Sequence, residues 1–249
     1  VSAARPLLVV GHPGHELYLH GWMEVEAPTV CVLTDGSGRH NPSRVDYSRD
    51  CVQRAGGTVG ELFGQRSDRD WYASLMDGDH RPFAAAADML VAAMETEGSR
   101  LVISDARDGY NPMHDAAFHL TTIAVEKVRR RGLAIDHLVS PAVGTPPNEP
   151  ALIRVLDDAA VARKEAAFQR YMPLKDEISH VRSSGTLQTE REAAYPIYDA
   201  VKPGEAPGYE QHGAERVKAG AYSRSLEYTR DYRVVMDAVR RAVISDLHA

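Results

Sequence analysis

Four short runs constrain the fold of this 249-residue chain more than any other feature: Leu7 to Val10 (LLVV), Thr29 to Thr34 (TVCVLT), Leu101 to Ser104 (LVIS) and Leu138 to Ser140 (LVS). Each is a continuous run of apolar or β-branched residues, closed by a serine in the last two, rather than an alternating one, as suits a strand covered on both faces. Each stops abruptly, at Gly11, Asp35, Asp105 and Pro141. Between them, apolar residues recur at helical spacing, as Phe83, Ala87, Leu90 and Met94 and again as Ala117, Leu120, Ala124 and Val128. Ser43 to Ala55 reads as another helix, stopped by Gly56-Gly57. Buried strands alternating with helices predict an α/β fold: a Rossmann-like, mostly parallel sheet with helices on both faces. Ligands of such sheets bind outside the carboxyl ends of the strands. The segments 11–16, 35–38, 105–114 and 141 onward are therefore where chemistry is expected.

The C-terminal third reads differently. Ala151 to Arg170 reads as a helix of mixed charge. Ser183 to Gln211 is polar and holds Pro196, Pro203 and Pro207, which predicts a long irregular segment. Tyr228, Tyr232, Val235, Val239 and Val243 mark a final amphipathic helix. The expected organisation is a single α/β domain over 1–249, with 183–249 an irregular segment plus a C-terminal helix packed on it.

Composition narrows the partners. A net charge of −6 offers no large cationic surface to nucleic acid or to an anionic membrane. No apolar run approaches the ~20 residues of a membrane helix. The only cysteines, Cys31 and Cys51, lie in elements that read as buried, which points to reduced core thiols and a cytoplasmic location. A small molecule is the expected partner, and association into a homo-oligomer is left open.

His12 and His15 flank Pro13-Gly14 just past the first run, with Glu16 behind. Imidazole is the usual ligand of zinc and similar ions, and a catalytic site wants three protein ligands from more than one strand end. His114 and His119, in the stretch DARDGYNPMHDAAFH (105–119), are candidates for the third. Five residues of helix is a rotation of about 500°, so the two diverge; His114, at the start of its helix, is the expected ligand and His119 a helix-face residue. Loop histidines capping a helix are the alternative for His12 and His15. Gly11-x-x-Gly14 lacks the dinucleotide fingerprint, and no Gly-Lys-Ser/Thr follows, which argues against a nucleotide site.

His12-Pro13-Gly14-His15-Glu16 and Asn111-Pro112-Met113-His114 resemble the His-Pro-Asp-Asp-Glu and His-Pro-Asp-His motifs of the PIG-L/LmbE-type zinc-dependent de-N-acetylases. Asp157-Asp158 to Ala167 is similar to a later helix of that family, and the likeness covers about residues 5 to 175. The resemblance implies Zn2+, or another divalent transition metal, held by His12, His15 and His114. It implies Arg44 and Asp68 as substrate-binding residues. It also implies a deacetylase acting on an N-acyl amino sugar or related small conjugate through a metal-bound hydroxide.

Two departures stand out. The family's first Asp is its general base, and Gly14 stands there. The family's Asp ligand is His15, so three neutral imidazoles would leave the metal its full charge and acidify bound water, lessening the need for a base. A non-catalytic or repurposed binding member of the same fold is the alternative function. Asp115 and Glu16 are the remaining candidates for acid–base work. Asp115 also suits a first-turn helix charge, and Glu16 suits a group that orients a ligand or caps a helix. Tyr110 suits either oxyanion donation or packing, and Arg44 either a substrate group or an exposed helix position. Asp35, Asp105 and Asp108, at neighbouring strand ends, suit contacts to substrate hydroxyls or a ligand histidine, or plain turns.

Overall fold

The computed structural model describes residues 4–38, 41–183, 188–202 and 204–245. Its strands are β1 (Leu7–Val10), β2 (Thr29–Thr34), β3 (Thr58–Arg66), β4 (Leu101–Asp105), β5 (Asp136–Ser140), β6 (Leu152–Val155) and β7 (Arg191–Pro196). They form one seven-stranded sheet in the order β3-β2-β1-β4-β5-β7-β6. The run from β3 to β5 is parallel throughout. β7 is antiparallel to both β5 and β6. This is the expected mostly parallel α/β sheet. Its order reverses between β1 and β4, the switch point at which doubly wound sheets open a crevice beyond their strand ends.

Period-two alternation divides the apolar runs between two cores. Leu7, Val9, Cys31, Leu33 and Val102 pack beneath α4 (Arg81–Glu97), α5 (Pro112–Arg130) and α9 (Arg233–Ser245). Leu8, Val10, Val30, Val32 and Ile103 pack on the other face beneath α1 (His20–Glu26), α2 (Val45–Arg54), α6 (Asp158–Arg170) and α7 (Lys175–Ser183). Burial on both faces is why the runs carry no polar alternation. Cys31 and Cys51 are buried free thiols; burial pushes the Cys31 thiol up to about 12, which keeps it unreactive. No helix among the described residues is long and apolar enough to cross a membrane.

The C-terminal third departs from expectation twice. Ala151 to Arg170 is not one helix: β6 takes Leu152–Val155, and the Asp157 carboxylate accepts the Ala160 N–H at 2.8 Å to start α6 afresh. The segment 183–211 is not irregular throughout, because it holds β7 and the start of α8 (Gly208–Lys218). β6 is an edge strand that leaves Ile153 and Val155 exposed, so its apolar residues do not mark a buried strand. Pro203 and 184–187 of this segment, and 246–249 at the end of the chain, lie outside the described residues.

β5 carries a pH-sensitive group. His137 is buried, its Nε2 lies 2.8 Å from the Ser104 hydroxyl, and burial pushes its pKa down to about 4. An unfolded imidazole titrates near about 6.5. Between those values the unfolded chain binds a proton that the folded chain refuses. The contribution to stability is therefore complete above the unfolded pKa and is lost as pH falls toward the folded one. His137 is expected to cost about 2–3 kcal/mol at about pH 4.5 relative to about pH 7.5. Urea unfolding of His137→Gln should show the acid-side loss reduced by that amount; an unchanged loss would contradict the assignment.

Candidate metal centre

The site is built where β1 and β4 end side by side. A Cβ on Gly11 would stand 2.7 Å from the Met113 carbonyl oxygen, so glycine is what lets the end of β1 approach the first turn of α5. The Gly11 N–H donates to Asp105 Oδ2 at 2.7 Å, tying the two strand ends together. The chain then passes through Pro13 and Gly14, at φ 114°, into a 3-10 turn, His15–Leu19. On the β4 side, the Asn111 side chain accepts the Met113 N–H at 2.8 Å and caps α5, which sets His114 in its first turn.

Three imidazoles converge there. Ring centroids lie 5.6 Å apart for His12 and His15, 5.2 Å for His12 and His114, and 4.6 Å for His15 and His114. Each ring has a carboxylate at Nδ1. Asp105 Oδ2 lies 2.8 Å from His15 Nδ1, and Asp108 Oδ2 lies 2.8 Å from His114 Nδ1. His12 Nδ1 lies 3.1 Å from Asp68 Oδ1 and 2.8 Å from the Thr34 hydroxyl. Burial alone would raise the Asp68 carboxyl, but hydrogen bonds from His12, Gly38 and Thr34 outweigh it and bring the pKa to about 2. At Asp105, burial is likewise outweighed, chiefly by His15, and the carboxyl is held below its ordinary value. An ionised carboxylate only accepts, so the proton sits on Nδ1 and the lone pair on Nε2 is left for a ligand.

The donor set fits a divalent cation. His12 Nε2 is buried and has no partner. Three imidazoles around one tetrahedral ion, each bonded at about 2.0–2.1 Å, would hold their centroids about 5 Å apart, close to the observed spacing. Among the described residues no group of three or more His, Cys, Asp or Glu side chains is placed to hold a metal ion as it stands, so the fit rests on the chemistry of the donors, their ring spacing, tautomer and the orphaned nitrogen. Carboxylates behind the rings also return negative charge to the centre. Were a cation held here, those carboxylates would make the imidazoles more basic, and a bound water less acidic, than three bare rings would.

The other expected site residues are dispersed. Glu16 is fully buried beneath the turn, where it accepts the Gly14 N–H at 2.7 Å and the Ser48 hydroxyl at 2.8 Å; burial pushes its carboxyl up. Asp115 is also fully buried: Oδ1 accepts the Gly109 N–H at 3.0 Å, Oδ2 stands 3.9 Å from Arg107 Nε, and burial pushes the carboxyl to about 7. Arg44 lies with Pro13 where a Gly36 side chain would stand, with Nη1 3.5 Å from Glu177 Oε2. Tyr110 is 65% exposed, its ring centroid 6.4 Å from that of His114. His119 turns away: its Nδ1 lies 2.8 Å from the Asp115 carbonyl oxygen and 2.9 Å from the Tyr232 hydroxyl, and burial lowers its pKa to about 4. Asp35 accepts the Ser37 N–H at 2.9 Å and forms a turn.

Thr34, Tyr18 and Leu174 escape sequence reasoning. The Tyr18 ring stands edge-on to His15 at 6.3 Å and its hydroxyl donates to the Ala142 carbonyl at 3.0 Å; the only signal is its position three residues along the same turn. Leu174 bears on Gly14: a Cβ there would lie 2.2 Å from Leu174 Cδ1, at a φ that L side chains rarely adopt. Gly14→Asp is therefore expected to lower stability by about 2–5 kcal/mol, from backbone strain and overpacking together. The urea midpoint reads this, and Leu174→Ala in the same chain should return the packing part; a neutral Gly14→Asp would contradict the geometry.

No family profile and no curated protein matches this sequence. Solved structures do. The zinc-inhibited form of teicoplanin deacetylase Orf2 superposes with a TM-score of 0.50 at 15% identity, covering 77% of this chain and 97% of that one. The A40926 pseudoaglycone deacetylase Dbv21 gives 0.49 at 14% identity over 81% and 100% of the two chains. The conserved protein TT1542 from Thermus thermophilus gives 0.49 at 16% over 80% and 97%. The first of these likenesses is one of fold.

Proposed function

We propose that this chain is a metal-dependent amide hydrolase that removes the acyl group from an N-acyl amino sugar or a related small conjugate. The observation that carries the reading is the trio of imidazoles at the sheet's switch point, each with a carboxylate at Nδ1. His12, His15 and His114 would hold Zn2+ or another divalent transition metal through Nε2, and such an ion, when bound, polarises an acyl carbonyl and activates water for attack on it.

The chain's own residues do the rest. Asp68, Asp105 and Asp108 fix each ring's tautomer and direction. This assigns Asp68 to positioning His12 rather than to substrate. Arg44 and Tyr110 stand at the rim, where a substrate's polar groups would dock. Tyr110 donates its hydroxyl proton in a hydrogen bond to the acyl oxygen as charge develops there. Glu16 and Asp115, both enclosed, serve as scaffolding: Glu16 fastens the His12–His15 turn, and Asp115 the Gly109 loop that precedes His114.

Gly14 favours a second reading, a cation- or ligand-binding member of the same fold without turnover, because position 14 offers no proton acceptor. One experiment separates the two. Bound zinc per chain is measured on the purified protein, and amine release is followed over a panel of N-acetylated hexosamines. Zinc with turnover that chelation abolishes and zinc restores supports the hydrolase. Zinc without turnover across the panel supports the binder, and absence of both overturns the two together.

A further inference from the structure

We propose that Arg107 is the positioning residue for His114, the imidazole supplied from beyond β4, and that it acts through Asp108; the inference rests on the metal centre of the reading above. The three carboxylates behind the rings are not anchored alike. Asp105 ends β4 and is tied to the neighbouring strand by the Gly11 N–H at 2.7 Å. Asp68 opens a helix, Asp68–Met76, and takes the Gly38 N–H at 2.9 Å. Asp108 lies in the loop after β4. Among the described residues its other hydrogen bond is local, from the Tyr110 N–H at 2.9 Å. The direction of the Asp108 carboxylate, and of His114 with it, therefore depends on what holds that loop.

Arg107 holds it by main chain and side chain together. Its carbonyl oxygen accepts the Ala200 N–H at 3.3 Å, beside a parallel bridge between Arg107 and Asp199. Its guanidinium pairs with the Asp199 carboxylate and lies 5.2 Å from the centre of the Tyr228 ring, while Nε stands 3.9 Å from Asp115 Oδ2. Tyr228 stacks in turn on Tyr232, which is fully buried, with ring centroids 5.7 Å apart. The Arg107 side chain is 12% exposed. Two carboxylates and an aromatic face thus fix the plane of the guanidinium.

The same C-terminal stretch closes on the other side of Asp108. The Tyr209 N–H donates to the Gly109 carbonyl oxygen at 3.1 Å, and a Cβ on Gly109 would lie 2.4 Å from Val201 Cγ2. Tyr198, just before Asp199, packs with Ala106, Phe118 and Val139. Asp108 therefore stands between two clamped neighbours, Arg107 and Gly109, and is presented to His114 Nδ1 at 2.8 Å. Residues 198–232, which lend no ligand to the centre, take part in placing one.

The test reads zinc affinity by chelator competition on the full chain, with the thermal midpoint recorded for each variant. Arg107→Met should weaken zinc binding about tenfold, the lower end of what loss of support behind a ligand costs. Arg107→Lys, which keeps the charge without the fork, should recover part of it. Asp199→Asn, at a half-exposed position, should cost about two- to fivefold. The distinguishing readout is coupling. In an Asp108→Asn background, Arg107→Met should change affinity by less than about twofold, because the carboxylate through which it acts is already lost. By NMR of the zinc-loaded protein, the ring N–H resonance of His114 should shift in Arg107→Met while those of His12 and His15 stay in place. If Arg107→Met does not fold, Asp199→Asn with and without Asp108→Asn decides the same question. Arg107→Met and Asp199→Asn proteins that bind zinc like the parent, or an equal loss with and without the Asp108 carboxylate, overturn the assignment of Arg107 and leave the metal centre standing. A parent that binds no zinc overturns the metal centre, and this inference with it.

Discussion

Glu192→Gln is expected to lower the unfolding free energy by about 3–5 kcal/mol, the usual cost of orphaning one member of a buried ion pair. Glu192 of β7 and Lys164 of α6 meet at 2.7 Å, and neither side chain has exposed surface. Glu192 Oε1 also accepts the Gly21 N–H at 2.8 Å, and Oε2 accepts the Trp22 N–H at 2.7 Å. The carboxylate therefore satisfies the first turn of α1 and the lysine together. Glutamine accepts at one end only. Its amide N–H2 would face either a backbone N–H or the ammonium, and in the latter case Lys164 would keep just the Tyr18 and Gln188 carbonyls at 3.2 and 3.3 Å. In a chain of this length the thermal midpoint should fall by about 6–20 °C. Replacing both partners by apolar residues of similar size should recover much of the loss. A drop under about 1 kcal/mol, in the range of surface pairs, would contradict this role. Tyr18 and Gly21 lie just beyond His15, so the same pair fastens the turn that carries the imidazoles.

Asp105→Asn should weaken zinc binding by about 10- to 100-fold while leaving the chain folded. Asp105 Oδ2 takes both the Gly11 N–H at 2.7 Å and His15 Nδ1 at 2.8 Å. The asparagine oxygen can still accept from the backbone, but it carries no charge to raise the basicity of His15. Competition against a chelator of known affinity measures the change. Asp108→Asn, acting on His114 from another loop, should behave alike, whereas Asp35→Asn, whose carboxylate forms only a turn with Ser37, should leave zinc affinity unchanged. Equal affinity in all three would mean that the carboxylates do not support the rings.

What is legible in the sequence follows from how strongly each element is buried. β1, β2, β4 and β5 announce themselves because each carries a continuous run of apolar or β-branched residues, buried in β1 and β2 along its whole length. β3 gives no such signal: only Leu62 and Phe63 are buried in it, and Gly60 and Gly64 break its pattern. β6 and β7 lie beyond the parallel strands, and β6 exposes Ile153 and Val155, so their residues read as helix and loop. The approach of His12, His15 and His114 can be anticipated because doubly wound sheets gather strand ends at a switch point. The pairing of Asp105 with His15, ninety residues apart, cannot, because it depends on which neighbouring strand β1 selects. Asp115 misleads for a local reason: adjacency to His114 in a helix separates two side chains by about 100°, and this one turns into the interior. The closure of position 14 depends on Leu174, one hundred and sixty residues away, and no local pattern carries it.

The most direct measurement is a zinc titration of chelator-treated protein, run on the parent and on His12→Ala, His15→Ala and His114→Ala, with folding checked for each by circular dichroism. One ion per chain in the parent, and loss of tight binding in all three folded variants, is the predicted result. A parent that takes up no zinc, or binding that survives the loss of any one of these imidazoles undiminished, would contradict a shared centre.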